Sequence, residues 1–451
     1  MKSANRAKMV LLFFGDVIAL YAALFAMLVL RYGADFYAQF VHAHAGPFTI
    51  IFVAWVVVFY IAGLYDLHRL RNNLDFFKTL ALSLAINAAI AVFFFYLIPA
   101  FGIAPKRNLL AFIVIFAVIE IVWRRFFNRA TASGEAPNKI LLIGSGAAID
   151  EVAAAVAANS QLGYAVQARL TEEAAERAPR ALEETAAARG ANLVVMPRDL
   201  KRRDALAPAF YALFASGIRV IDLDYCYELI MRKVPLDEIK ETWFLENIEG
   251  AARFYDPLKR AWEFLAALAL GIVLLPIEVL IALLVVFTSR GPAIYQQTRT
   301  GERGREFTLY KFRSMKALSA DGSAETAGAQ WAAHGDARTT VIGKFLRASH
   351  LDELPQLWNI VRGDLSFVGP RPERPEFVAK LTREIPYYEV RLLILPGVTG
   401  WAQINHRADL TLNDVRQKLQ YDIYYLKNRS FILDAAIVLK TIKSIFVNPK
   451  E

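Results

Sequence analysis

The sequence has little cysteine and little charge. Among 451 residues there is one cysteine, Cys226, so an intrachain disulfide framework and a cluster of cysteine metal ligands are both excluded. Charged residues make up 21% and hydrophobic residues 56%, whereas soluble globular proteins carry about 25% charged residues. The 52 basic and 43 acidic residues give a net charge of +9, too small for a dedicated nucleic-acid-binding protein. These deficits indicate a membrane protein with sizeable soluble domains in a reducing compartment.

Apolar residues concentrate in four runs near the amino terminus. The runs are Val10–Leu30, Phe48–Leu64, Thr79–Ala104 and Leu109–Trp123. A helix needs about 20 residues to cross the hydrocarbon core of a bilayer, so the first and third runs are long enough and the other two are borderline. The pattern predicts a four-helix transmembrane bundle over residues 1–130.

Basic residues orient this bundle. Clusters at residues 2–8, 69–78 and 124–129 precede the first run, separate the second from the third, and follow the fourth. Basic residues concentrate on the cytoplasmic side of membrane proteins, so we expect both ends of the bundle to face the cytosol. Lys106 and Arg107 would then lie outside and count against this orientation.

A small α/β domain is predicted over residues 137–226. The segment from Lys139 to Gly146 has the pattern of a buried strand that enters a glycine turn and then an alanine-rich helix. Leu193–Met196 and Ile218–Leu223 are further short apolar runs that suit buried parallel strands. The alternation predicts a Rossmann-like domain.

A dinucleotide-binding fingerprint is incomplete in this domain. Gly144 and Gly146 open a helix after a strand, but Ile149 stands at the third glycine position. No acidic residue follows at the distance of a ribose partner. The alternative to a nucleotide site is an α/β module used for contacts between domains or subunits.

A fifth apolar run, Ala261–Phe287, follows a predicted linker at residues 227–255. Pro276 and Glu278 stand in its middle, where proline breaks a helix and a charge is costly in lipid. The half before Pro276 covers only about 22 Å, less than a full span. We predict a re-entrant helix-break-helix over residues 256–290 that enters one leaflet and returns; a kinked spanning helix is the alternative.

The composition of the remaining residues, 291–451, differs from that of the apolar run before them. Arginine recurs beside glycine and proline, as in Gly301–Arg305 and Gly369–Pro375. Arginine in rigid turns suits bidentate phosphate binding, and the alternative is an ordinary solvated basic surface. Asp352 and Glu353 are adjacent carboxylates. They suit a division of labour in which one attacks and its neighbour holds a divalent metal.

A structural role for Asp352 is the alternative. The residue could cap the amino terminus of a helix whose first turn tolerates Pro355. The two roles are compatible, because a helix amino terminus also favours phosphate.

Five ordered motifs cover the last third of the chain. They are Ser289–Gln297, Phe307–Met315, Leu351–Asn359, Gly363–Pro372 and Pro396–Gln403. On these motifs the stretch from about Tyr255 onward resembles the bacterial sugar transferases, the polyprenyl-phosphate glycosyl-1-phosphate transferases. The segments ahead of it are similar to those of the large, exopolysaccharide-initiating branch. The resemblance implies an α+β catalytic domain over residues 291–451.

The resemblance also implies an activity and a place in the cell. The activity is transfer of a sugar 1-phosphate from a UDP-sugar to undecaprenyl phosphate with release of UMP, as the first membrane step of exopolysaccharide, O-antigen or capsule synthesis. The place is the bacterial inner membrane, with the soluble domains and both termini in the cytosol. Expected partners are the two substrates, membrane lipid and a second copy of the chain in a homodimer, but no nucleic acid.

The family's site residues carry over to matching positions. Asp352 takes the role of the nucleophile that forms a covalent phosphosugar intermediate, and Glu353 that of the Mg²⁺ ligand. The basic residues expected to bind substrate phosphate are Arg347, Arg371, Lys311 and Arg313. Pro276 matches the break of the re-entrant helix. Glu263 stands where an aspartate is expected, and His350 replaces a small or hydroxyl residue.

Two other classes of protein remain as competing hypotheses. A membrane-tethered nucleotide-sugar epimerase or dehydratase has a similar front half, but it needs an intact glycine fingerprint and a Tyr-x-x-x-Lys pair on a helix. The only such spacing is Tyr255–Lys259, which Pro257 interrupts. A non-catalytic membrane scaffold would assemble other proteins through the α/β domain and would release no UMP.

Overall fold

A computed structural model describes residues 2–67, 70–97, 105–133, 138–177, 179–248, 254–316, 338–406 and 411–447. The chain divides into two compact units, Met1–Met231 and Arg232–Glu451. The first unit combines long apolar helices with a parallel sheet. The second combines a long apolar helix with a mixed set of shorter helices and two small sheets.

The four predicted apolar runs lie on four long helices of the first unit. The amino-terminal helices are α1 (Lys2–Tyr32), α2 (Phe36–Gln39), α3 (Ala45–Ala62), α4 (Leu74–Leu97) and α5 (Pro105–Ser133). The third run ends at residues 98–104, which lie outside the described residues. Trp55 of α3 packs against Phe112 and Phe116 of α5 in an aromatic core. Helix α3 ends at Gly63, whose φ of 81° suits glycine.

Many apolar side chains of these helices point away from the core. Leu30, Phe93 and Phe126 are 79%, 66% and 66% exposed. A continuous apolar surface of this kind is typical of lipid contact. By length and hydropathy, three helical stretches of the described chain could cross a membrane: Ala7–Ala62, Leu74–Phe95 and Tyr255–Thr288. The helices are those of a membrane protein, and four crossings stay a prediction.

A buried ion cluster ties α1 to α5. The Arg124 guanidinium pairs with Asp16 through Nη2 and with Glu120 Oε1 through Nε at 2.6 Å, and Nη1 donates to the Leu64 carbonyl at 2.7 Å. Trp123 Nε1 donates to Asp16 Oδ1 at 3.0 Å. The three charged side chains are fully buried. Buried charges are tolerated when they are paired. The ion pairs with Arg124 therefore explain how Asp16 and Glu120 can be buried within apolar runs.

A four-stranded parallel sheet follows in the order β2-β1-β3-β4. Its elements are β1 (Asn138–Ile143), α6 (Ala147–Ala158), β2 (Tyr164–Leu170), α7 (Glu172–Arg177), α8 (Pro179–Ala188), β3 (Leu193–Met196), α9 (Arg198–Lys201), α10 (Ala207–Ala215), β4 (Arg219–Asp222) and α11 (Leu223–Met231). Ile140 and Leu142 of β1 face α6 and α11, whereas Leu141 and Ile143 face α8 and α10. Helices therefore cover both faces of the sheet, and the three predicted strand segments are strands.

The glycine turn after β1 has a packing explanation. Gly144 has a φ of +119°, and a Cβ on it would lie 2.6 Å from Ile149 Cδ1. Ile149, which replaces the third glycine of the fingerprint, therefore needs the space that Gly144 leaves. The turn requires glycine here without a bound nucleotide.

The second unit begins earlier than the sequence analysis predicts. Its elements are α12 (Glu241–Asn247), α13 (Tyr255–Thr288), β5 (Ile294–Thr300), β6 (Glu306–Phe312), α14 (Val341–Ser349), α15 (Gln356–Arg362), β7 (Ser366–Val368), α16 (Pro375–Glu384), β8 (Gly397–Thr399), α17 (Trp401–Asn405), α18 (Leu412–Asn428) and α19 (Phe431–Val447). Val234, Leu236, Ile239 and Trp243 are buried against residues of α16 and α18. Most of the predicted linker at residues 227–255 is thus part of a core, because its apolar side chains are spaced to reach that core.

Helix α13 is one continuous helix of 34 residues that contains Pro276. The predicted break at Pro276 is therefore corrected: the proline removes one backbone donor, but the hydrogen bonds on either side maintain the helix. Ala267 packs with Leu309 and Ile360, and Val285 packs with Phe312. Both halves of α13 thus rest on the same unit, while most of the other side chains between them are exposed and apolar.

We predict that Arg124→Met destabilises the first unit by about 3–5 kcal/mol, because it leaves two buried carboxylates without their cation. Thermal unfolding in detergent micelles would measure the loss. Arg129→Met, on the exposed side of the same helix, is the matched control and should change stability by less than about 0.5 kcal/mol. Equal effects of the two substitutions would contradict the role assigned to the cluster.

Candidate active site

Asp352 and Glu353 lie in a short 3-10 turn, Leu351–Glu353, between α14 and α15. His350 ends α14 in the left-handed region, at a φ of 58°, and so redirects the chain into this turn. The residue at the amino-terminal cap of α15 is Pro355. Asp352 therefore does not cap α15, and the structural alternative considered for it is wrong.

Two cations hold the Glu353 carboxylate. Lys311 Nζ of β6 lies 2.7 Å from Glu353 Oε1, and an Arg371 guanidinium nitrogen lies 3.0 Å from the same oxygen. Burial alone would raise the pKa of Glu353, but the Lys311 and Arg371 charges outweigh it and hold that pKa well below its ordinary range. Glu353 is therefore an ionised carboxylate at neutral pH.

Asp352 has a different environment from its neighbour. Its side chain is buried, at 9% exposure, and no group of the described chain donates a hydrogen bond to its carboxylate. Burial raises the pKa of Asp352, against the opposing charges of Lys311, Arg347 and Arg371. A carboxylate with raised basicity, whose oxygens accept no hydrogen bond from the described residues, is suited to nucleophilic attack.

The backbone that carries Arg371 is closely packed. Strands β7 and β8 pair in parallel, and Gly369 N donates to Thr399 O at 2.8 Å. Gly397 N donates to Pro370 O at 2.9 Å. A Cβ on Gly369 would collide with the Leu395 carbonyl, so only glycine allows the two segments to approach. Arg371 thus lies in a rigid turn, as the density of glycine and proline predicts.

Arg391 also holds Arg371, although no motif in the sequence points to it. Its Nη2 donates to the Arg371 carbonyl at 2.9 Å, and the guanidinium pairs with Asp422 at 3.0 Å and Tyr388 Oη at 2.7 Å. All three side chains that meet here are buried. No glycine or proline stands beside Arg391 in the sequence. The pattern of arginine beside glycine and proline, which predicts the phosphate-binding arginines, therefore does not include it.

The other two predicted phosphate-binding residues differ in position. Arg347 of α14 donates to Ser314 Oγ at 2.8 Å, and its charge acts on the Asp352 carboxylate. Arg313 is buried and donates to the carbonyls of Ser289 and Arg290 at 2.8 and 2.7 Å. These carbonyls follow the end of α13. The contacts of Arg313 give no support to a phosphate-binding role, whereas Lys311, Arg347 and Arg371 surround the Asp-Glu pair.

The Tyr-x-x-x-Lys spacing of a dehydratase is also accounted for. Tyr255 and Lys259 lie on α13 of the second unit, outside the sheet domain. Tyr255 Oη donates to Asp434 at 2.7 Å, and Lys259 Nζ donates to the Val368 carbonyl at 2.6 Å. Both side chains thus attach α13 to the rest of the second unit. The Tyr-x-x-x-Lys spacing therefore gives no support to an epimerase or dehydratase.

A metal ion would have few protein ligands here. Within the described ranges no group of three or more His, Cys, Asp or Glu side chains converges. Glu353 uses Oε1 for its two cations, and Oε2 accepts no hydrogen bond from the described side chains. Mg²⁺ is commonly bound by one or two carboxylates together with substrate phosphate oxygens. Glu353 Oε2 fits that requirement.

The fold and the site together define a class of protein. A membrane-associated unit brings a buried carboxylate and three fixed cations to one place, and fixed cations of this kind bind anionic phosphate groups. Residues 254–448, which contain every residue of the site, match the family model described as bacterial sugar transferase.

Three relatives agree with that match. A UDP-N-acetylgalactosamine-undecaprenyl-phosphate N-acetylgalactosaminephosphotransferase of Aeromonas hydrophila is 38% identical over 230 residues, which are 51% of this chain and 53% of that protein. Two UDP-glucose:undecaprenyl-phosphate glucose-1-phosphate transferases are 39% identical over 192 residues (Caulobacter vibrioides; 42% of this chain and 70% of that protein) and 38% over 193 residues (Escherichia coli; 42% and 40%). The chain belongs to the bacterial sugar transferase family, as its motifs predict. Its match spans about half the length of the Aeromonas relative.

Proposed function

We propose that the protein transfers a sugar 1-phosphate from a UDP-sugar to undecaprenyl phosphate and releases UMP, as the first membrane step of exopolysaccharide, O-antigen or capsule synthesis. The observation that carries the proposal is the buried Asp352 beside a Glu353 that Lys311 and Arg371 hold. The site lies inside the family-matched region. The relatives named above support the two substrates, since their names describe this transfer.

The proposed chemistry has two displacements at one phosphorus. In the first, a carboxylate oxygen of Asp352 attacks the sugar-bearing phosphorus of the UDP-sugar, and the bond to the oxygen of the departing UMP breaks. A covalent aspartyl phosphosugar results. In the second, a phosphate oxygen of undecaprenyl phosphate attacks the same phosphorus and displaces Asp352. The products are UMP and a lipid-linked sugar diphosphate, and the carboxylate is regenerated.

Electrostatics explains why the cations surround the nucleophile. A carboxylate that attacks a diphosphate brings anion against anion, so the negative charge on the phosphate oxygens must be neutralised. Lys311 and Arg371 supply fixed positive charge beside Glu353, and Arg347 supplies it from α14. Mg²⁺ held by Glu353 would neutralise diphosphate oxygens as a Lewis acid.

The membrane arrangement is part of the proposal. Both halves of α13 pack on the second unit while the opposite side of the helix is apolar and exposed. We place this exposed side in one leaflet of the inner membrane, so that both ends of α13 stay on the cytosolic side with the nucleotide sugar. The four amino-terminal crossings, a Rossmann-like domain without an intact cofactor fingerprint and a homodimer complete the proposal.

We predict that Asp352→Asn abolishes transfer, because the neutral amide cannot form the covalent intermediate. The assay is UMP release by purified protein from a panel of UDP-sugars with undecaprenyl phosphate, with mass spectrometry of the trapped phosphosugar peptide. Asp237→Asn, at an exposed aspartate, is the matched control and should keep wild-type turnover. Near-normal turnover by Asp352→Asn would exclude the covalent mechanism, and absence of UMP release by the wild type would exclude the proposed function.

We predict that transfer depends on Mg²⁺ and that EDTA removes it reversibly. Glu353→Gln should raise the Mg²⁺ concentration for half-maximal turnover, because the amide lacks the charge that attracts the cation. Titration of Mg²⁺ against UMP release measures this concentration. An unchanged Mg²⁺ requirement in Glu353→Gln would remove Glu353 from the role of metal ligand.

We predict that reporters fused after residue 130 and after residue 451 both face the cytosol. Green fluorescent protein should fluoresce at both positions, because it fluoresces in the cytosol. Alkaline phosphatase should be inactive at both, because it becomes active only outside the cytosol. An active phosphatase after residue 451 would show that α13 crosses the membrane. An active phosphatase after residue 130 would overturn the four-crossing bundle instead.

A further inference from the structure

A buried polar cluster joins the amino-terminal half of α13 to the rest of the second unit. Lys259, which is 7% exposed, uses its ammonium group on three partners. Nζ lies 2.6 Å from the Val368 carbonyl, 2.7 Å from Tyr425 Oη and 2.6 Å from Asp434 Oδ2. An ammonium group has three N–H donors, so its hydrogen-bonding capacity is fully used.

Glu263 extends this cluster one helical turn further. Its Oε1 accepts hydrogen bonds from Ser366 Oγ at 2.8 Å and from Phe367 N at 3.1 Å. It also lies 3.8 Å from Lys259 Nζ. Together the two side chains contact every residue of β7, Ser366, Phe367 and Val368, so α13 fixes this strand through charge-assisted hydrogen bonds.

Strand β7 leads directly to the active site. Arg371 follows Val368 by three residues, and the intervening Gly369 and Pro370 are each bonded to the β8 segment, at 2.8 and 2.9 Å. The Arg371 guanidinium then reaches Glu353 at 3.0 Å. A closely packed segment transmits displacement rather than absorbing it, so a shift of the Val368 carbonyl moves Arg371.

The other end of α13 has a similar connection to the second cation. Arg313 donates to the carbonyls of Ser289 and Arg290, just beyond the helix, and also to Val285 at 3.3 Å. Lys311, whose ammonium group holds Glu353, lies two residues earlier in β6. Strand β6, which carries Lys311, and strand β7, which leads to Arg371, are therefore both fixed to α13, the helix whose exposed side is apolar.

We infer that Lys259 is a positioning residue that acts through Arg371: the apolar helix α13 holds the phosphate-facing guanidinium in place by way of the Val368 carbonyl. The inference rests on the proposed function of this site. A buried ammonium group is a costly way to attach a helix, since an apolar residue would pack there without desolvation of a charge. The ammonium does what an apolar residue cannot, because it fixes the position of one carbonyl oxygen.

A double-mutant cycle between Lys259 and Arg371 tests the inference in the full-length protein in detergent or nanodiscs. Lys259→Met should lower kcat/KM for the UDP-sugar by about 10- to 100-fold, the range for a displaced catalytic contact. In an Arg371→Ala background, where no guanidinium remains to be positioned, Lys259→Met should change kcat/KM by less than about twofold. Equal losses in the two backgrounds would show that Lys259 does not act through Arg371 and would overturn the inference.

Amide hydrogen exchange supplies a readout that needs no activity. Lys259→Met should speed exchange at residues 366–371 by about tenfold or more, while α16, which has no contact with Lys259, keeps wild-type rates. Unchanged exchange at residues 366–371 would overturn the inference even if turnover falls. Wild-type protein that releases no UMP would exclude the proposed function alone, because hydrogen exchange would still decide whether Lys259 fixes the segment.

Two further variants guard against a trivial loss of folding. Lys380→Met, at an exposed lysine of α16 paired with Glu384 at 4.0 Å, is the same substitution outside the cluster and should leave kcat/KM and exchange unchanged. If Lys259→Met does not fold, Tyr425→Phe takes its place in the cycle, since it removes only one hydroxyl from the cluster. Additive losses for Tyr425→Phe and Arg371→Ala would then overturn the inference.

Discussion

The ion pairs of Glu353 with Lys311 and Arg371 are the interaction on which the site depends. One carboxylate oxygen joins a 3-10 turn, a strand of one hairpin and the turn after β7, which are far apart in sequence. The three charges sum to one positive charge, so the group attracts an anion instead of neutralising itself. Without Glu353 the two cations would repel each other, and neither would be held where Asp352 faces them.

The two adjacent carboxylates differ because their surroundings differ. Glu353 accepts hydrogen bonds from two cations, and its pKa is held low. Asp352 is buried beside the same cations without accepting a hydrogen bond from the described residues, and burial raises its pKa. Groups whose environments separate their pKa values commonly have separate roles. In the proposed reaction, Glu353 organises the positive charge and Asp352 keeps its oxygens available for bond formation.

The sequence is sufficient for the elements and for most of the site, since both depend on local signals. Apolar runs predict helices, short apolar segments predict the buried strands, and the motif around Asp352 predicts the centre. The structure departs from expectation where tertiary contacts decide. Trp243 belongs to a core, although its segment has the composition of a linker. Pro276 does not interrupt its helix, and Arg313, in the same motif as Lys311, binds carbonyls at the end of that helix. Spacing in a sequence does not reveal which partners a side chain meets.

The placement of α13 explains why membrane attachment and phosphate binding share one unit. One proposed substrate carries its phosphate at the membrane surface and the other arrives from the cytosol, so the site must be fixed relative to the bilayer as well as internally complete. A flexible tether would hold the unit near lipid and still let the cations vary in depth. Here Lys259 attaches α13 to β7, which leads to Arg371, and Arg313 attaches the same helix to the end of β6, which carries Lys311. In the proposed membrane arrangement, the depth of α13 in lipid then sets the depth of the cations, so the position of the bilayer fixes the geometry of the proposed reaction.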